Sequence, residues 1–378
     1  MSAKLAIIGA SYLQLPLVKR AMDMGIETIC FAWEDGAVCK DVCTRFYPIS
    51  IMEKEQILSV CRQEKIDGIT TIATDVAVPT IAYVAQAMKL VGNSVECAYK
   101  ATNKYAMRQA LRAGGVNCPF FELVRNLDEA AAALAKTSLP VIVKPCDRSG
   151  SMGVTKVETA EQLSAAVDVA VNASFVKAAI LEKFVDIAQE ISVEGISWQG
   201  EHYVLAVTDK VTTGAPHYVE LGQHQPSHLS SETLFEAVRQ VKLGVKALGI
   251  EYGASHPELM VAKDGQVYVT EIGARMGGDF IGSDLVYLST GYDFLKGVIE
   301  VALGQFTPPA KKWSRAAGVW FYSPGTLQVK DFIENRGRHP EIVRWELHED
   351  ELKPLTRSAD RAGYFIYCAD YKISLQAN

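Results

Sequence analysis

One segment decides the fold of this chain: PELMVAKDGQVYVTEIGARMGGD, residues 257–279. Two apolar runs flank Asp264-Gly265, and an Asp-Gly pair in this position is typical of a two-residue β-hairpin turn, because a type I′ turn requires positive φ at both central residues. That turn predicts a register in which Lys263 pairs with Gln266. The same register pairs Ala262 with Val267, Met260 with Val269, and Glu258 with Glu271.

The predicted hairpin places two glutamates opposite each other. The Cβ atoms of Glu258 and Glu271 would lie ~5 Å apart, and like charges at that distance destabilise a sheet unless they are neutralised. A hard divalent cation such as Mg²⁺ suits two carboxylates. Three alternatives stay open at this point: a register shifted by one residue, protonation of one glutamate, or an ion pair with Arg275. The pair is therefore a candidate metal site.

Cationic segments precede the hairpin in the chain. Lys144 lies at the end of a predicted strand, and the loop CDRSGSMG (146–153) joins it to a second strand. Lys104 opens a predicted helix on which Arg108 shares its face, although two cations on one face often indicate only a solvated surface. Carboxylates with Mg²⁺, Lys and Arg together suit phosphoryl transfer, which depends on positioning and charge neutralisation. The ligand that these segments favour is Mg-ATP.

The first 90 or so residues predict a small doubly wound parallel domain. Strand-like and helix-like segments alternate there, beginning with the apolar run KLAIIG at residues 4–9. The sequence after Gly9 departs from G-x-G-x-x-G, so the close approach to a pyrophosphate that this motif provides is not expected. Ser11 and Asp75 are the polar candidates at the carboxyl ends of these strands, with a role as loop caps as the alternative.

Composition narrows the class of protein. The chain has 378 residues, a formal net charge of −6 and 49% hydrophobic residues, with no block of Lys and Arg. These figures favour a globular protein of two or three domains and provide no electrostatic basis for binding nucleic acid or a membrane surface. The eight cysteines lack a CxxC pair and are interpreted as reduced thiols. No secretion signal or spanning segment is recognised, so we expect a cytoplasmic protein.

The order of these motifs resembles the ATP-grasp superfamily, and more narrowly its carboxylate–amine ligases of the bacterial L-amino acid ligase type. The resemblance covers roughly residues 1–305. It implies an α/β (α+β) protein with the ATP-grasp fold, an N-terminal doubly wound parallel pre-ATP-grasp domain and a small C-terminal α+β domain. The implied boundaries are 1–95 for the first domain, 96–305 for the ATP-grasp domain with a lid at about 115–190, and 306–378 for the last.

The resemblance assigns the nucleotide contacts. The motif N-K-x-x-x-R is similar to the family's first ATP lysine, Lys104, and P-V-I-V-K-P resembles the segment with the second, Lys144. The glycine-rich lid over the phosphates then comprises Ser149, Gly150, Ser151 and Gly153. The adenine hinge corresponds to Glu182, Lys183, Phe184 and Val185, and the ribose contact to Glu190, although Asp186-Ile-Ala-Gln stands where the family usually has a glycine.

The resemblance also assigns the metal and substrate contacts. Glu258 and Glu271 match the metal carboxylates for Mg²⁺, or Mn²⁺ in its place. Gly273 occupies the position where the family commonly has asparagine as a third ligand, so a water would take that place. Arg275, Lys144 and Glu271 are the implied catalytic residues. The implied substrate residues are His217, Glu220, His256, Arg275, Gly277, Gly278 and Asp279. Structural packing is an equal alternative for His217 and Glu220, and His224 and His228 are assigned to packing.

The implied reaction is ligation driven by ATP. A carboxylate, most simply that of an amino acid, becomes an acyl phosphate and then condenses with an amine to form an amide or dipeptide. The partners are therefore small-molecule carboxylates and amines, and a homodimer is compatible with the resemblance. Two alternatives remain: a purine-pathway or carboxylase-type ATP-grasp enzyme that uses formate or bicarbonate, and a non-catalytic ATP-binding module, which Gly273 suggests.

Overall fold

The structure of the protein is a computed structural model that describes residues 2–148, 152–214, 217–348 and 352–375. The predictions for Ser149, Gly150 and Ser151 lie outside the described residues.

The N-terminal domain is built on a four-stranded parallel sheet. Alternate residues of its first strand are buried on opposite faces, because Leu5 packs with Leu17 while Ile8 packs with Ile57. Helices therefore cover both faces, which confirms the predicted doubly wound parallel arrangement. The strands are β1 (Lys4–Ile8), β2 (Glu27–Phe31), β3 (Arg45–Tyr47) and β4 (Gly68–Thr70), in the order β3-β2-β1-β4, and the helices are α1 (Leu15–Asp23), α2 (Lys54–Glu64) and α3 (Val78–Met88).

Two capped helices lead from this domain toward the rest of the chain. They are α4 (Val95–Thr102) and α5 (Lys104–Ala113). The side chain of Asn103 accepts a hydrogen bond from the amide of Ala106, so Asn103 is the N-cap of α5. This cap fixes the start of α5 and places Lys104 at its first position.

A small antiparallel sheet follows and has helices against one face. Its central pair joins Val143 to Leu181, and the predicted hairpin across the 146–153 loop forms with Val141 opposite Val157. The strands are β5 (Phe121–Val124), β6 (Val141–Pro145), β7 (Thr155–Val157) and β8 (Ala179–Lys183), in the order β5-β8-β6-β7, and the helices are α6 (Leu127–Leu134) and α7 (Leu163–Ala173).

The largest sheet of the fold has eight antiparallel strands. Its order is β13-β12-β9-β10-β11-β14-β16-β15, from β9 (Ile187–Trp198), β10 (Glu201–Thr212), β11 (Glu220–Gln225), β12 (Gly253–Ala262), β13 (Val267–Gly273), β14 (Ala316–Tyr322), β15 (Ile342–Leu347) and β16 (Gly363–Ala369). The remaining α-helices are α8 (Ser231–Leu248), α9 (Val286–Thr290), α10 (Phe294–Ala302) and α11 (Gln328–Glu334). Shorter turns are the 3₁₀ segments Val38–Asp41, Ala160–Gln162, Arg336–Arg338 and Ser358–Asp360 and the π-helical Ile281–Leu285. The C-terminal strands thus continue the central sheet, and the domain boundaries stay predictions.

The β12–β13 hairpin differs from the predicted turn but keeps the predicted glutamate pair. The amide of Ala262 donates to the carbonyl of Gln266, so the loop has three residues and not two, with Gly265 at φ +85°. Met260 therefore pairs with Tyr268, one residue away from the predicted partner. An irregularity between Glu258 and Leu259 restores the register, and Glu258 does pair with Glu271. The longer loop shifts the strand pairing by one residue, and the irregularity shifts it back.

No helix in the described part of the chain is long and apolar enough to cross a membrane.

Candidate active site

A cleft of about 320 Å³ lies between the small sheet and the large sheet. Asp75 of the N-terminal domain closes one side of it. Residues from all the predicted nucleotide, metal and substrate groups line this cleft: Lys104, Lys144, Glu182, Lys183, Phe184, Val185, Glu190, Glu220, His256, Glu258, Glu271, Gly273 and Arg275. The structure therefore brings together side chains that are separated by more than 150 residues in the sequence.

The two facing glutamates are each neutralised by a lysine. Lys104 Nζ lies 2.6 Å from Glu271 Oε2, and Lys210 Nζ lies 2.8 Å from Glu258 Oε1. Lys210 holds the pKa of Glu258 well below its usual value. Burial lowers the pKa of Lys104, but the charge of Glu271 outweighs this and the net pKa is raised. Glu258 is thus ionised and both lysines are charged at neutral pH.

Lys210 is a site residue that the sequence reasoning missed. Its side chain is only 8% exposed, and its Nζ contacts Glu220 Oε1 at 3.4 Å as well as Glu258. Burial lowers its pKa, but the surrounding glutamates raise it further, so the net pKa is above the usual value. Glu190 pairs with it across β9 and β10. A lysine inside an otherwise strand-like run was the available signal, since Lys is rarely buried unless it is paired.

The second predicted ATP lysine belongs to a buried ion cluster. Glu182 Oε2 lies 2.5 Å from Lys144 Nζ, and Glu182 Oε1 accepts a 2.6 Å hydrogen bond from Arg108 Nε. Burial raises the pKa of Glu182, but the two cations prevail and bring it to about 2. Arg108 is 1% exposed, so its interpretation as part of a solvated face was wrong. The arginine instead links α5 to β8 behind the cleft.

Part of the backbone of the predicted adenine hinge is already hydrogen-bonded within the protein. The amide of Lys183 donates to the carbonyl of Phe120, and the amide of Phe184 donates to that of Pro140. These bonds fix the chain where it leaves β8. Apolar side chains face the cleft at this end: Ile142, Val154, Phe184, Val185, Ile187 and Met260. A flat apolar ring such as adenine suits this wall.

Arg275 connects the segment after the β12–β13 hairpin to the N-terminal domain. Its Nη2 donates a 2.7 Å hydrogen bond to Asp75 Oδ2, and the next residue, Met276, forms a parallel bridge with Ile72. Asp75 is therefore part of the site. A Cβ at Gly273 would lie 3.1 Å from Asp75 Oδ1 and 3.2 Å from Arg275 Cζ. The Asp75–Arg275 pair thus fills the space beside Gly273, which gives a physical reason for the missing asparagine.

His256 is clamped between two carboxylates. Its Nδ1 lies 2.9 Å from Oε1 of the fully buried Glu194, and its Nε2 lies 3.5 Å from Glu258 Oε1. Burial lowers the pKa of His256, but Glu194 raises it more, to about 9. A Cβ at Gly277 would lie 2.7 Å from His256 Nδ1, so the glycine permits this close packing. His256 is an imidazolium that orients Glu258.

Several predicted residues lie away from the cleft lining. His217 is exposed, and Gly153 begins the segment that enters β7. Gly278 packs next to Ala73. The carboxylate of Asp279 is held by Arg361 through two hydrogen bonds of 2.8 and 2.9 Å. The substrate role of Asp279 stays a prediction, and its carboxylate is engaged here in an ion pair with Arg361, just before β16.

The two histidines assigned to packing do have structural partners. His224 is fully buried, with its ring against Trp320 and its Nδ1 3.1 Å from the Tyr367 hydroxyl. His228 Nδ1 lies 3.2 Å from Asp209 Oδ2. Neither residue lines the cleft.

The donor set fits a divalent cation that is shared with phosphates. Within the described ranges, no group of three or more His, Cys, Asp and Glu side chains is arranged to hold a metal ion. Glu258 and Glu271 are two carboxylates on one face of a hairpin, and Mg²⁺ is commonly held by one or two carboxylates with the rest from phosphates and water. A metal here would therefore arrive with the nucleotide.

Comparison with known proteins finds a known domain within this chain. Residues 137–284 match the model of the ATP-grasp domain. The chain thus contains an ATP-grasp domain, as the motifs predicted.

Among its relatives, alanine–anticapsin ligase of Bacillus subtilis is 28% identical over 245 residues, which are 59% of this chain and 51% of that protein. A crystal structure of an L-amino acid ligase from Bacillus licheniformis superposes with a TM-score of 0.80 at 27% identity, covering 98% of this chain and 94% of that one. A phosphoribosylglycinamide synthetase from Anaerococcus prevotii shares the fold, with a TM-score of 0.79 at 22% identity over 98% of this chain and 95% of that one. The chain spans about half to two thirds of the length of two curated relatives, the alanine–anticapsin ligase and an uncharacterized protein of Sinorhizobium fredii.

Proposed function

We propose that this protein is an ATP-dependent ligase that activates a carboxylate, that of an amino acid, as an acyl phosphate and joins it to an amine. One observation carries the proposal. A single cleft contains two carboxylates on one hairpin, two lysines at 2.6 and 2.5 Å from glutamates, and Arg275 at the junction with the N-terminal domain. The similarity to an alanine–anticapsin ligase and an L-amino acid ligase supports amino acids as the substrate class.

The first step forms the acyl phosphate. A carboxylate oxygen of the substrate attacks the γ-phosphorus of ATP, the bond to the β,γ-bridging oxygen breaks, and ADP leaves. Arg275 orients the carboxylate, while Lys104 and Lys144 offset the charge that develops on the phosphoryl oxygens. Glu258 and Glu271 would hold Mg²⁺, which supplies charge neutralisation for the bound phosphates.

The second step forms the amide. A neutral amine attacks the carbonyl carbon of the acyl phosphate, the C–O bond to phosphate breaks, and inorganic phosphate leaves. The amine proton passes to solvent or to a carboxylate of the cleft. Release of ADP and phosphate therefore accompanies every bond formed.

The test measures ADP and phosphate released from Mg-ATP by the purified protein. The reactions contain single and paired L-amino acids, with bicarbonate and formate as controls, and active mixtures are analysed by mass spectrometry. We expect release that requires two amino acids and yields their condensed mass. Release that depends on bicarbonate or formate would contradict the proposed substrate class. Nucleotide binding without ADP formation under any condition would contradict ligation itself.

A further inference from the structure

A second cavity opens next to the catalytic cleft, at the carboxyl ends of β1, β2 and β4. Its volume is about 540 Å³, within the range of small-molecule pockets. Residues that follow each of these strands contribute to its wall, including Gly9, Trp33 and Ala73. In open α/β sheets, ligands bind in this crevice outside the strand ends.

The cavity is lined by large apolar side chains that are open to solvent. Trp33 is 73% exposed, Met52 57% and Phe175 62%. They come from the N-terminal domain and from the segment after α7 of the small sheet, and Met152 adds a further apolar surface. Single exposed apolar residues are common, but several around one concavity are typical of a ligand site.

The apolar cavity is continuous with the catalytic cleft. A connecting passage shares Met52, Phe175 and Arg148 with the cavity, and Lys104, Glu271 and Arg148 with the cleft. Asp75 lies in the passage and holds Arg275. A molecule whose carboxylate meets Arg275 and Lys104 would therefore direct its remainder toward Met52 and Trp33.

The wall is fixed by buried polar contacts. Gln14 is 2% exposed, its Nε2 donates to the carbonyl of Ile72 at 2.8 Å, and its Oε1 accepts hydrogen bonds from the amide and hydroxyl of Ser11. Ser11 is thus a loop cap. The β1–α1 loop is tied to the end of β4, and the cavity is preformed.

We propose that the cavity and its connecting passage, together called the channel, receive the side chain of the carboxylate substrate. This substrate is a bulky apolar or aromatic amino acid. The inference rests on the proposed function and specifies its substrate class. Burial of a large side chain against Trp33, Met52 and Phe175 provides binding energy that glycine or alanine lacks. The activated residue becomes the N-terminal residue of the product, so the order of the product reports which substrate fills the channel.

The test compares L-phenylalanine and L-leucine with glycine and L-alanine. We expect kcat/KM for phenylalanine to exceed that for glycine by about tenfold or more. A mixture of phenylalanine and alanine should yield Phe-Ala, as fragmentation in the mass spectrometer distinguishes it from Ala-Phe. Met52→Glu and Phe175→Ala should each lower the ratio of kcat/KM for phenylalanine to that for alanine by about tenfold. Phe235→Ala, on an exposed residue of α8, is the matched control and should leave the ratio unchanged.

Direct binding separates this inference from the proposed function. Calorimetry with L-phenylalanine in the presence of ADP should give binding that Met52→Glu weakens and Phe235→Ala preserves, while thermal unfolding checks that both variants are folded. Binding with this pattern but no ligation would retain the channel and contradict the ligase. Ligation of small amino acids only, or Ala-Phe as the product, would overturn the channel and retain the ligase. If bulky amino acids are neither bound nor turned over, the channel proposal is overturned.

Discussion

Individual residues of the cleft form ion pairs that a bound nucleotide has to rearrange. Lys104 and Glu271, 2.6 Å apart, neutralise each other, and so do Lys144 and Glu182. Phosphate oxygens can take the place of the glutamates beside the lysines, and a divalent cation can take the place of a lysine beside a glutamate. Each replacement has the same sign of charge and interacts more strongly. The buried charges are therefore kept in place for a ligand that carries both kinds of charge.

Glu271→Gln tests the role of the hairpin carboxylates. The neutral amide keeps the shape of the side chain but removes the charge that would hold Mg²⁺ and pair with Lys104, so we expect the rate of ADP formation to fall by about a hundredfold or more. Glu334→Gln, on an exposed glutamate of α11, is the matched control. ADP formation at the wild-type rate in Glu271→Gln would contradict the metal assignment.

The elements of the fold set the positions of these charges. Helix α5 carries Lys104 at its first turn and Arg108 one turn later, so its N-terminus reaches the cleft while its buried face reaches β8. A small displacement of α5 would move both residues.

Asn103→Ala removes the N-cap of α5. The free energy of unfolding should fall by about 1 kcal/mol, the usual effect of a lost cap. The affinity for ATP should weaken because the start of α5, which carries Lys104, is no longer fixed. Ser230→Ala removes the equivalent cap of α8, which is distant from the cleft lining. Chemical denaturation and nucleotide titration of both variants separate the two effects. Equal ATP affinity in the two variants would mean that the cap does not position Lys104.

The cluster around Glu182 predicts a pH dependence of stability. The pKa of Glu182 is depressed to about 2 in the folded protein, so its contribution to stability is present above its ordinary pKa and is lost as pH falls toward 2. Glu182→Gln leaves two buried cations unpaired and should lower the free energy of unfolding by about 3–5 kcal/mol at neutral pH. Urea denaturation should show the difference from the wild type shrinking between pH ~4.5 and ~2. A difference independent of pH would assign the loss to packing.

The sequence predicted helices and hairpins more accurately than loop lengths and ion pairs between distant residues. The helix α8 and the hairpin around the 146–153 loop follow from local periodicity and caps, which depend on neighbouring residues. The turn at Asp264-Gly265 was assigned two residues where the structure has three, because Asp-Gly is compatible with both. The sequence could not show that Arg108 pairs with Glu182 or that Lys210 pairs with Glu258, since these partners lie 74 and 48 residues away.

At the scale of the whole molecule, one side of the candidate site lies where the N-terminal domain meets the β12–β13 hairpin. The Ile72–Met276 bridge and the Asp75–Arg275 ion pair both cross this junction. Arg20 and Asp293 form another ion pair across it at 2.8 Å. The orientation of Arg275, the proposed substrate contact, thus depends on the contact between two parts of the chain that are 200 residues apart.

Asp75→Asn tests this dependence. Arg275 would lose its charged partner and its fixed orientation, so we expect kcat/KM for the carboxylate substrate to fall by about tenfold or more, with a smaller change in KM for ATP. Asp67→Asn, in the same domain but hydrogen bonded to the amide of Lys4, is the control. An unchanged kcat/KM in Asp75→Asn would show that Arg275 acts independently of the N-terminal domain.

Transfer of isotopic oxygen tests the central claim most directly. The amino acid that is activated is labelled with ¹⁸O in its carboxylate and incubated with Mg-ATP and the amine substrate, and the released phosphate is analysed by mass spectrometry. An acyl phosphate requires one carboxylate oxygen to leave with the phosphate, so the account predicts one ¹⁸O atom in each phosphate formed. Unlabelled phosphate would mean that water attacks ATP, and it would contradict the proposed ligation.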